Sequence, residues 1–304
     1  MRGRLLLRLG LSLGLLALLW QLVDGAGVMA LVAGADPLWL ALALGLLLVQ
    51  TGLSALRWRL TARRLGQHMP LRRAVAEYFL AQTANLTLPG GIVGDAARAL
   101  RARQGVGLEV AGQAVLFERL AGQAALILVT VGTAGLALLV PGGFAPPAPM
   151  VWAFALLAGG VLLASGGLRL MAMRRPRVAR WGQALWHAVL HRDVRAAQAL
   201  LSLGTVAANV LSFAAAAAAI GLFLPAAAIF SVIPLVLFAM LVPLAIGGWG
   251  LREGAAVMVL PLTGASPEAA LAASAAFGVI FLLSSLLGLA LSWSLLRDPA
   301  RGIG

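Results

Sequence analysis

The chain has 304 residues, of which 62% are hydrophobic and only 11% are charged, whereas a soluble domain carries about 25% charged residues. The absence of cysteine excludes disulfides, thiol catalysis and cysteine-based metal sites. The net charge of +13 comes from arginine alone, and the arginines cluster beside apolar runs, as the positive-inside rule predicts. These features indicate an integral membrane protein that binds no nucleic acid and has no separate soluble domain.

The chain begins with a basic stretch and an apolar run over residues 9–23, which predicts a first spanning helix; a cleaved signal peptide is the alternative. Residues 24–37 contain two acids and no arginine, so this loop is placed outside the cell. Residues 38–56 span back. Six arginines then mark the first cytoplasmic loop: Arg57, Arg59, Arg63, Arg64, Arg72 and Arg73.

Residues 74–88 form the next apolar run, which as a helix reaches only about 22 Å. The hydrocarbon core of a bilayer is about 30 Å thick, so this arm is too short to cross it. A Pro-Gly-Gly break follows, and residues 92–100 lead back to further arginines. The pattern predicts a re-entrant hairpin at about residues 74–103, with both ends cytoplasmic.

The rest of the chain continues this alternation. Spans are predicted at residues 109–140, 151–171, 199–223 and 269–296, with a basic, tryptophan-bearing surface helix at residues 178–194. A second hairpin is predicted at about residues 226–260, entering from outside. The prediction is therefore a single all-α membrane domain over residues 1–304, with six spans, two re-entrant hairpins and both termini in the cytoplasm.

The two hairpins resemble each other, since each has an apolar arm, a Gly-Gly break, a third glycine, an acid and an arginine. The break positions are Pro89, Gly90, Gly91 and Gly94 in the first hairpin and Gly247, Gly248 and Gly250 in the second. Paired broken helices of this kind are typical of inverted repeats that place a binding site near the membrane midplane.

Asp95 and Arg98 follow the first break and share one face of the restarted helix because they are three residues apart. Asp95 also falls close to a helix N-terminus, where backbone amides favour negative charge. Two interpretations stay open. Either Asp95 caps the helix and Arg98 anchors it at the interface, or the exposed amides and Arg98 receive a phosphate or carboxylate.

Further ionisable and polar residues lie within apolar segments. Glu77 and Asn85 form a polar stripe that lines a cavity or hydrogen-bonds another helix. Adjacent Glu118 and Arg119 diverge by about 100° around their helix, so they need separate partners unless one side chain bends back. The alternative is a pair that snorkels at the cytoplasmic edge of the membrane. The next pair, Arg252 and Glu253, follows the second break, and the predicted partners of this arginine are Asp95, Glu118 or a lipid phosphate.

No enzyme, cofactor or metal site is predicted. His187 and His191 lie four residues apart but lack a third ligand in the sequence. The sequence contains no recognisable pair of nucleophile and base. It also contains no P-loop and no dinucleotide-binding fingerprint.

Three ordered motifs together resemble a known family. They are NLTLPGGIVGDAAR at residues 85–98, FERLAG at residues 117–122 and PLAIGGWGLREG at residues 243–254. The family is the lysylphosphatidylglycerol synthase transmembrane region, also called the flippase-like domain. Members typically show Gly-Gly-Asp and Asp-Arg, where this chain has Val93-Gly94-Asp95 and Glu118-Arg119.

The resemblance implies lipid handling. In bifunctional relatives this region translocates aminoacylated phosphatidylglycerol made by a separate soluble domain, which is not expected here; other members are tied to polyprenyl-phosphate sugar or hopanoid pathways. The expectation is a flippase-like protein of the cytoplasmic membrane with membrane lipids as partners. The alternatives are an ion-coupled small-solute transporter and a non-transporting partner of a cell-envelope lipid or glycan enzyme.

Overall fold

The computed structural model describes residues 2–88, 91–139, 148–241 and 247–297, and all regular structure in these ranges is helical. The first six helices are α1 (Arg2–Leu22), α2 (Gly25–Ala33), α3 (Pro37–Arg64), α4 (Leu71–Thr87), α5 (Val93–Ala102) and α6 (Gly107–Leu139). The remaining six are α7 (Ala148–Arg174), α8 (Pro176–Leu185), α9 (Arg195–Ala219), α10 (Ala226–Phe238), α11 (Leu251–Val259) and α12 (Pro267–Arg297).

Four helices in the described ranges are long and apolar enough to cross a membrane: α3, α6, α9 and α12. A fifth span results if α1 and α2, which meet at a bend of 97°, are counted as one broken span. Helix α7 has 27 residues, and several of its side chains lie outside the described part of the chain. The all-α membrane architecture is confirmed, with four or five spans by this measure against the six predicted.

The bend between α1 and α2 differs from the loop predicted over residues 24–37. Asp24 accepts a hydrogen bond from the Ala26 backbone amide at 3.1 Å and thereby caps α2. The second acid, Asp36, caps α3 in the same way, through the Leu38 amide at 2.8 Å. The acids that indicated an external loop are thus N-caps of two consecutive helices.

The main apolar core lies where α9, α10 and α12 meet, and it includes Val210, Phe213, Ile233 and Phe277. Helix α9 also packs along α3, and α12 packs against α4, α9, α3 and α11. A run of small residues allows this approach, because Ala215 to Ala219 are all buried. A smaller apolar cluster around Trp58 supports α4, α5 and α6.

Both predicted hairpins are broken helices. The first is α4 and α5, joined through Leu88 in an extended conformation and Gly91 at φ 61°. The second is α10 and α11, preceded at the restart by Gly247, Gly248 and Gly250, all with positive φ, a conformation that favours glycine. Pro89, Gly90 and residues 242–246, which include the first four residues of the third motif, lie outside the described residues.

The two breaks touch each other. A Cβ atom on Gly247 would overlap the backbone carbonyl of Leu86, close to the end of α4. The close approach of two backbones therefore requires glycine at this position. Re-entry of each hairpin from a particular side of the membrane, and an inverted-repeat relation between them, stay predictions.

The surface helix predicted at residues 178–194 is present as α8 and a π-helical turn over Trp186–Leu190. Trp181 donates a hydrogen bond to Glu109 at 2.9 Å and packs edge-on against Phe117. Trp186 is exposed, which fits the predicted position in the headgroup layer.

Candidate functional site

The candidate site is a buried network of ion pairs where α3, α4, α5 and α6 meet beside the first break. Its centre is Glu118 of α6, which is fully buried. Glu118 Oε1 accepts hydrogen bonds from Arg57 Nη2 at 2.6 Å and from the Tyr78 hydroxyl at 3.2 Å. Its Oε2 accepts one from Arg98 Nη2 at 3.3 Å. A buried carboxylate needs this degree of charge and hydrogen-bond compensation.

Arg98 of α5 connects Glu118 to Asp95. Its Nη2 also contacts Asp95 Oδ1 at 2.8 Å, one helical turn away. The guanidinium lies between two aromatic rings, with Cζ 4.5 Å from the Trp58 ring centroid and 4.4 Å from that of Tyr78. Cation–π contacts on both faces stabilise an arginine that is wholly removed from water.

Arg119 points to a different partner from that of its neighbour Glu118, as the spacing around the helix predicted. Arg119 Nη1 contacts Asp95 Oδ2 at 2.9 Å, and its Nη2 donates to the Gly91 carbonyl oxygen at 3.3 Å. Its side chain is 33% exposed, the most exposed of the three arginines in the network. Arg119 therefore joins α6 to the broken backbone and keeps part of its surface free.

Asn85 fastens the two arms of the first hairpin across the break. Its Oδ1 accepts a hydrogen bond from the Gly94 amide at 2.8 Å, and its Nδ2 donates to Asp95 Oδ2 at 3.0 Å. A Cβ atom on Gly94 would overlap the carbonyl oxygen of Ala81, so only glycine allows α4 and α5 to approach this closely. Asp95 lies in the first turn of α5 and forms ion pairs, whereas Ile92 occupies the N-cap position.

Three arginines and two carboxylates meet in this network, which leaves an excess of one positive charge. Within the described residues, Nη1 of Arg57 and both Nε and Nη1 of Arg98 are buried without a hydrogen-bond partner. Such atoms in native proteins are usually satisfied by water or by a ligand. The network is therefore suited to receive an anion.

A cavity of about 240 Å³ opens beside the network. Asp95, Arg57, Glu118 and Arg119 line one side, and Gly247 brings the backbone of the second break to it. The remaining lining carries no charge and includes Gln50, Gln82, Gln123, Thr205, Asn209, Leu126, Leu237, Met240 and Phe281. The cavity therefore combines one charged wall with a wall that can hydrogen-bond or contact hydrocarbon.

Glu77 does not belong to this cavity. Its Oε2 accepts a hydrogen bond from Arg101 Nε at 2.6 Å, which pairs α4 with α5 at the end of the hairpin away from the break. Asn85 bonds within the hairpin and also lines the central cavity. The polar stripe on α4 therefore makes contacts between helices at Glu77 and fills both of its predicted roles at Asn85. Glu77 and Arg101 instead line a second, smaller pocket.

Arg252 and Glu253, which follow the second break, form a closed pair, in which the two charged groups bind each other. Arg252 contacts Glu253 and donates to the Ser274 hydroxyl at 3.1 Å, rather than pairing with Asp95 or Glu118 as predicted. Glu253 Oε2 accepts the Gly250 amide at 2.8 Å, so the local backbone turns the carboxylate towards its own helix. Both side chains are 1% exposed and neither lines the central cavity in the described part of the chain.

Sequence reasoning missed Arg57 and Tyr78. Arg57 was counted with the cytoplasmic arginines, although it is buried and bonded to Glu118. The available signal was its position on the face of α3 that carries Ser54 and Thr61, three and four residues away. Arg59 lies off that face and binds the Met69 carbonyl at 2.9 Å.

Metal binding was not predicted for the two histidines. Among the described residues, no group of three His, Asp or Glu side chains is placed to hold a metal ion. His191 contacts Asp193 at 3.2 Å, and its ring lies 5.5 Å from that of His187. These residues are far along the chain from the network and do not contribute to it.

Comparison with known proteins identifies the family. The chain has no significant match among curated proteins. The sequence model of the family described as "Lysylphosphatidylglycerol synthase TM region" matches residues 5–288, nearly the whole chain. This range contains the broken helices, the ion-pair network and the closed Arg252–Glu253 pair. The protein therefore belongs to the lysylphosphatidylglycerol synthase transmembrane-region family and is a multi-pass membrane protein related to lipid handling.

Proposed function

We propose that this protein translocates or handles the headgroup of a phospholipid or lipid-linked anion across the cytoplasmic membrane, with both of its termini in the cytoplasm. The observation that carries the proposal is a cavity of about 240 Å³ lined by Arg57, Arg119, Asp95 and Glu118, which belong to the network of three arginines and two carboxylates. Ionisable groups within a membrane domain are costly and are retained mainly for function.

The size of the cavity supports a headgroup rather than a whole lipid. Pockets for drug-sized ligands typically measure about 300–1,000 Å³, and this cavity is slightly smaller. A glycerophosphate headgroup is of the right size, whereas two acyl chains are not. In the proposal the acyl chains stay in the bilayer while the headgroup enters between α4, α6 and α9.

The residues of the charged wall take separate roles. Arg119 and Arg57 bind the phosphate oxygens, because both line the cavity and Arg119 is partly exposed. Asp95 competes for Arg119, so a headgroup binds by replacing this carboxylate and is released when the ion pair reforms. Glu118 and Arg98, which are both fully buried, hold the arginines and Asp95 in place. Arg252 and Glu253 act indirectly by fixing the second break, whose Gly247 lines the cavity.

Membership of the family supports the lipid over the two alternatives, but each alternative has a distinct experimental outcome. A solute transporter would accumulate a small anion in vesicles without moving lipid. A non-transporting partner of an envelope enzyme would co-purify with that enzyme and move neither. The same purified protein serves for all three measurements.

The deciding experiment is a headgroup-translocation assay in proteoliposomes that contain fluorescent phospholipids. Asp95→Asn removes, at a similar volume, the carboxylate charge that recaptures Arg119 when the headgroup is released. We therefore expect slower release and an initial translocation rate lower by about tenfold or more, the size of one lost charge-assisted hydrogen bond. The matched control is Asp193→Asn, which neutralises an exposed carboxylate outside the network. A wild-type rate in folded Asp95→Asn protein contradicts the proposal.

A further inference from the structure

A second pocket lies at the end of the first hairpin, away from the break. It measures about 50 Å³ and is lined by residues that include Trp58, Gln67, Arg73, Glu77 and Arg101. None of its lining residues is shared with the central cavity. The proposed headgroup site therefore leaves this pocket unexplained.

Three of its lining side chains have buried polar atoms without a hydrogen-bond partner in the described ranges: Trp58 Nε1, Gln67 Oε1 and Arg101 Nη2. Trp58 is 1% exposed and Gln67 is 5% exposed. An unsatisfied buried donor or acceptor is costly, and native proteins usually provide it with a partner. Three such atoms around one small pocket indicate a missing common partner.

The other bonds of these residues are already made. Gln67 donates its Nε2 to the Ala102 carbonyl, which fixes the amide so that its oxygen is the free atom. Arg101 uses Nε to bind Glu77 at 2.6 Å, which leaves Nη2. The missing partner must therefore accept hydrogen bonds from two N–H groups and donate one to Gln67.

The charge around the pocket is positive. Arg73 and Arg101 contribute two positive charges, and Glu77 contributes one negative charge that is paired with Arg101. A water molecule, which takes about 30 Å³ in the liquid, would satisfy the hydrogen bonds but not the charge. A phosphate group with one protonated oxygen accepts, donates and neutralises at the same time.

We propose that this pocket is a phosphate-binding site, separate from the headgroup cavity, with Arg73, Arg101 and Trp58 as donors and Gln67 as the acceptor for a phosphate hydroxyl. The site fits inorganic phosphate and the terminal phosphomonoester of a lipid equally well. Because α4 and α5 both contribute to the pocket, an anion bound here joins the two arms of the first hairpin at the end away from the break.

The first test is equilibrium binding of radiolabelled inorganic phosphate to the full-length protein in neutral detergent, at constant ionic strength. We expect saturable binding that Arg73→Gln weakens by about tenfold, as loss of a charged hydrogen-bond donor predicts. Arg72→Gln is the matched control, because Arg72 is the exposed neighbour of Arg73 and does not line the pocket. Equal affinity in the wild type and Arg73→Gln overturns the proposal.

Sulfate competition tests the role of Gln67, since sulfate accepts hydrogen bonds but has no hydroxyl at neutral pH. We expect phosphate to bind more tightly than sulfate, and Gln67→Leu to reduce this preference. Arg73→Gln should weaken both anions alike. No preference for phosphate in the wild type overturns the assignment of Gln67.

The source of the phosphate is decided in nanodiscs. Displacement of radiolabelled phosphate by phosphatidic acid, but not by phosphatidylcholine, identifies a lipid phosphomonoester, whereas no displacement by either identifies the free ion. Asp95→Asn separates this site from the headgroup cavity, because it should keep phosphate binding even where translocation is lost. Loss of phosphate binding in folded Asp95→Asn protein contradicts a separate site.

Discussion

At the α4–α5 break, ion pairs join four helices and face a cavity, whereas at the α10–α11 break the arginine and glutamate bind each other. Glu118 and Asp95 each serve two arginines. Glu253 serves one arginine and its own backbone. The two segments have the same residue types, but the first forms ion pairs between helices, whereas the second forms an ion pair within one helix.

The difference follows from what lies opposite each arginine. Arg252 packs between Trp249 and Phe277 and against Gly278 of α12, where a side chain on the glycine would clash with it. Arg252 lines neither the central cavity nor the pocket at the other end of the first hairpin. Arg119, by contrast, borders open space. The same ion pair can thus hold a fold together or meet a ligand, depending on the packing around it.

The largest expected effect is on the shared network. Glu118→Gln leaves Arg57 and Arg98 buried without their common counter-charge, so we expect the free energy of unfolding in detergent to fall by about 3–5 kcal/mol. Glu109→Gln on the same helix keeps the acceptor for Trp181 and should change it by less than about 1 kcal/mol. Chemical unfolding followed by circular dichroism measures both variants. Similar losses of unfolding free energy would contradict the role of Glu118 as the common counter-charge of Arg57 and Arg98.

The closed pair should behave as a unit. Arg252→Met strands Glu253 and should cost about 3–5 kcal/mol of unfolding free energy. Adding Glu253→Gln removes the stranded charge and keeps an acceptor for the Gly250 amide, so the double variant should be more stable than Arg252→Met alone, with a coupling of about 0.5–3 kcal/mol.

Translocation by the folded double variant should match that of the wild type if the pair only fixes the second break. Additive stability losses would contradict a coupled pair. A translocation defect as large as that of Asp95→Asn would show that the pair contacts the transported headgroup.

A backbone comparison is expected to give an intermediate effect. Gly94→Ala places a methyl group against the Ala81 carbonyl and should cost about 1–3 kcal/mol through overpacking. Gly254→Ala on α11 meets no atom within 4 Å and should be neutral or slightly stabilising, since alanine favours a helix. Thermal unfolding of both variants measures the difference; equal midpoints would contradict the close contact of α4 and α5.

The smallest effect is expected at Asn85. Asn85→Ala removes the bonds to the Gly94 amide and to Asp95, and should cost about 1–2 kcal/mol, typical of a hydrogen bond with a buried partner left unpaired. Thr87→Ala near the same helix end, where the hydroxyl is exposed and bonds only to its own helix, is the control. Hydrogen exchange of the Gly94 amide should rise in Asn85→Ala alone.

Much of this arrangement is legible in the sequence. The Pro-Gly-Gly and Gly-Gly-Trp-Gly segments predicted both helix breaks, and the angle between Glu118 and Arg119 predicted their separate partners. Local features of this kind depend on residue spacing and backbone sterics alone. The proximity of the two breaks was expected only from the likeness of the hairpins to an inverted repeat, and Gly247 does lie against the Leu86 backbone.

The partners of individual charges were harder to predict. The count of arginines beside a span describes an average along the chain, so it could not show that Arg57 turns inward while Arg59 does not. Arg252 lies outside the cytoplasmic arginine clusters, so distant partners were predicted for it (Asp95, Glu118 or a lipid phosphate), but its side chain pairs with the adjacent Glu253. Tertiary packing determines how far a side chain reaches and how deeply it is buried, and residue spacing carries no information about this packing.

The surplus arginine of the network has an electrical consequence. Arginine stays protonated at any physiological pH, so the site keeps its single unit of surplus charge under all working conditions. A phosphodiester with one negative charge cancels it, and the loaded site becomes neutral. Because one elementary charge costs about 2.3 kcal/mol per 100 mV to move through the membrane field, a conformational change that carries the loaded site through the field would be insensitive to voltage, whereas the same change of the empty site would not.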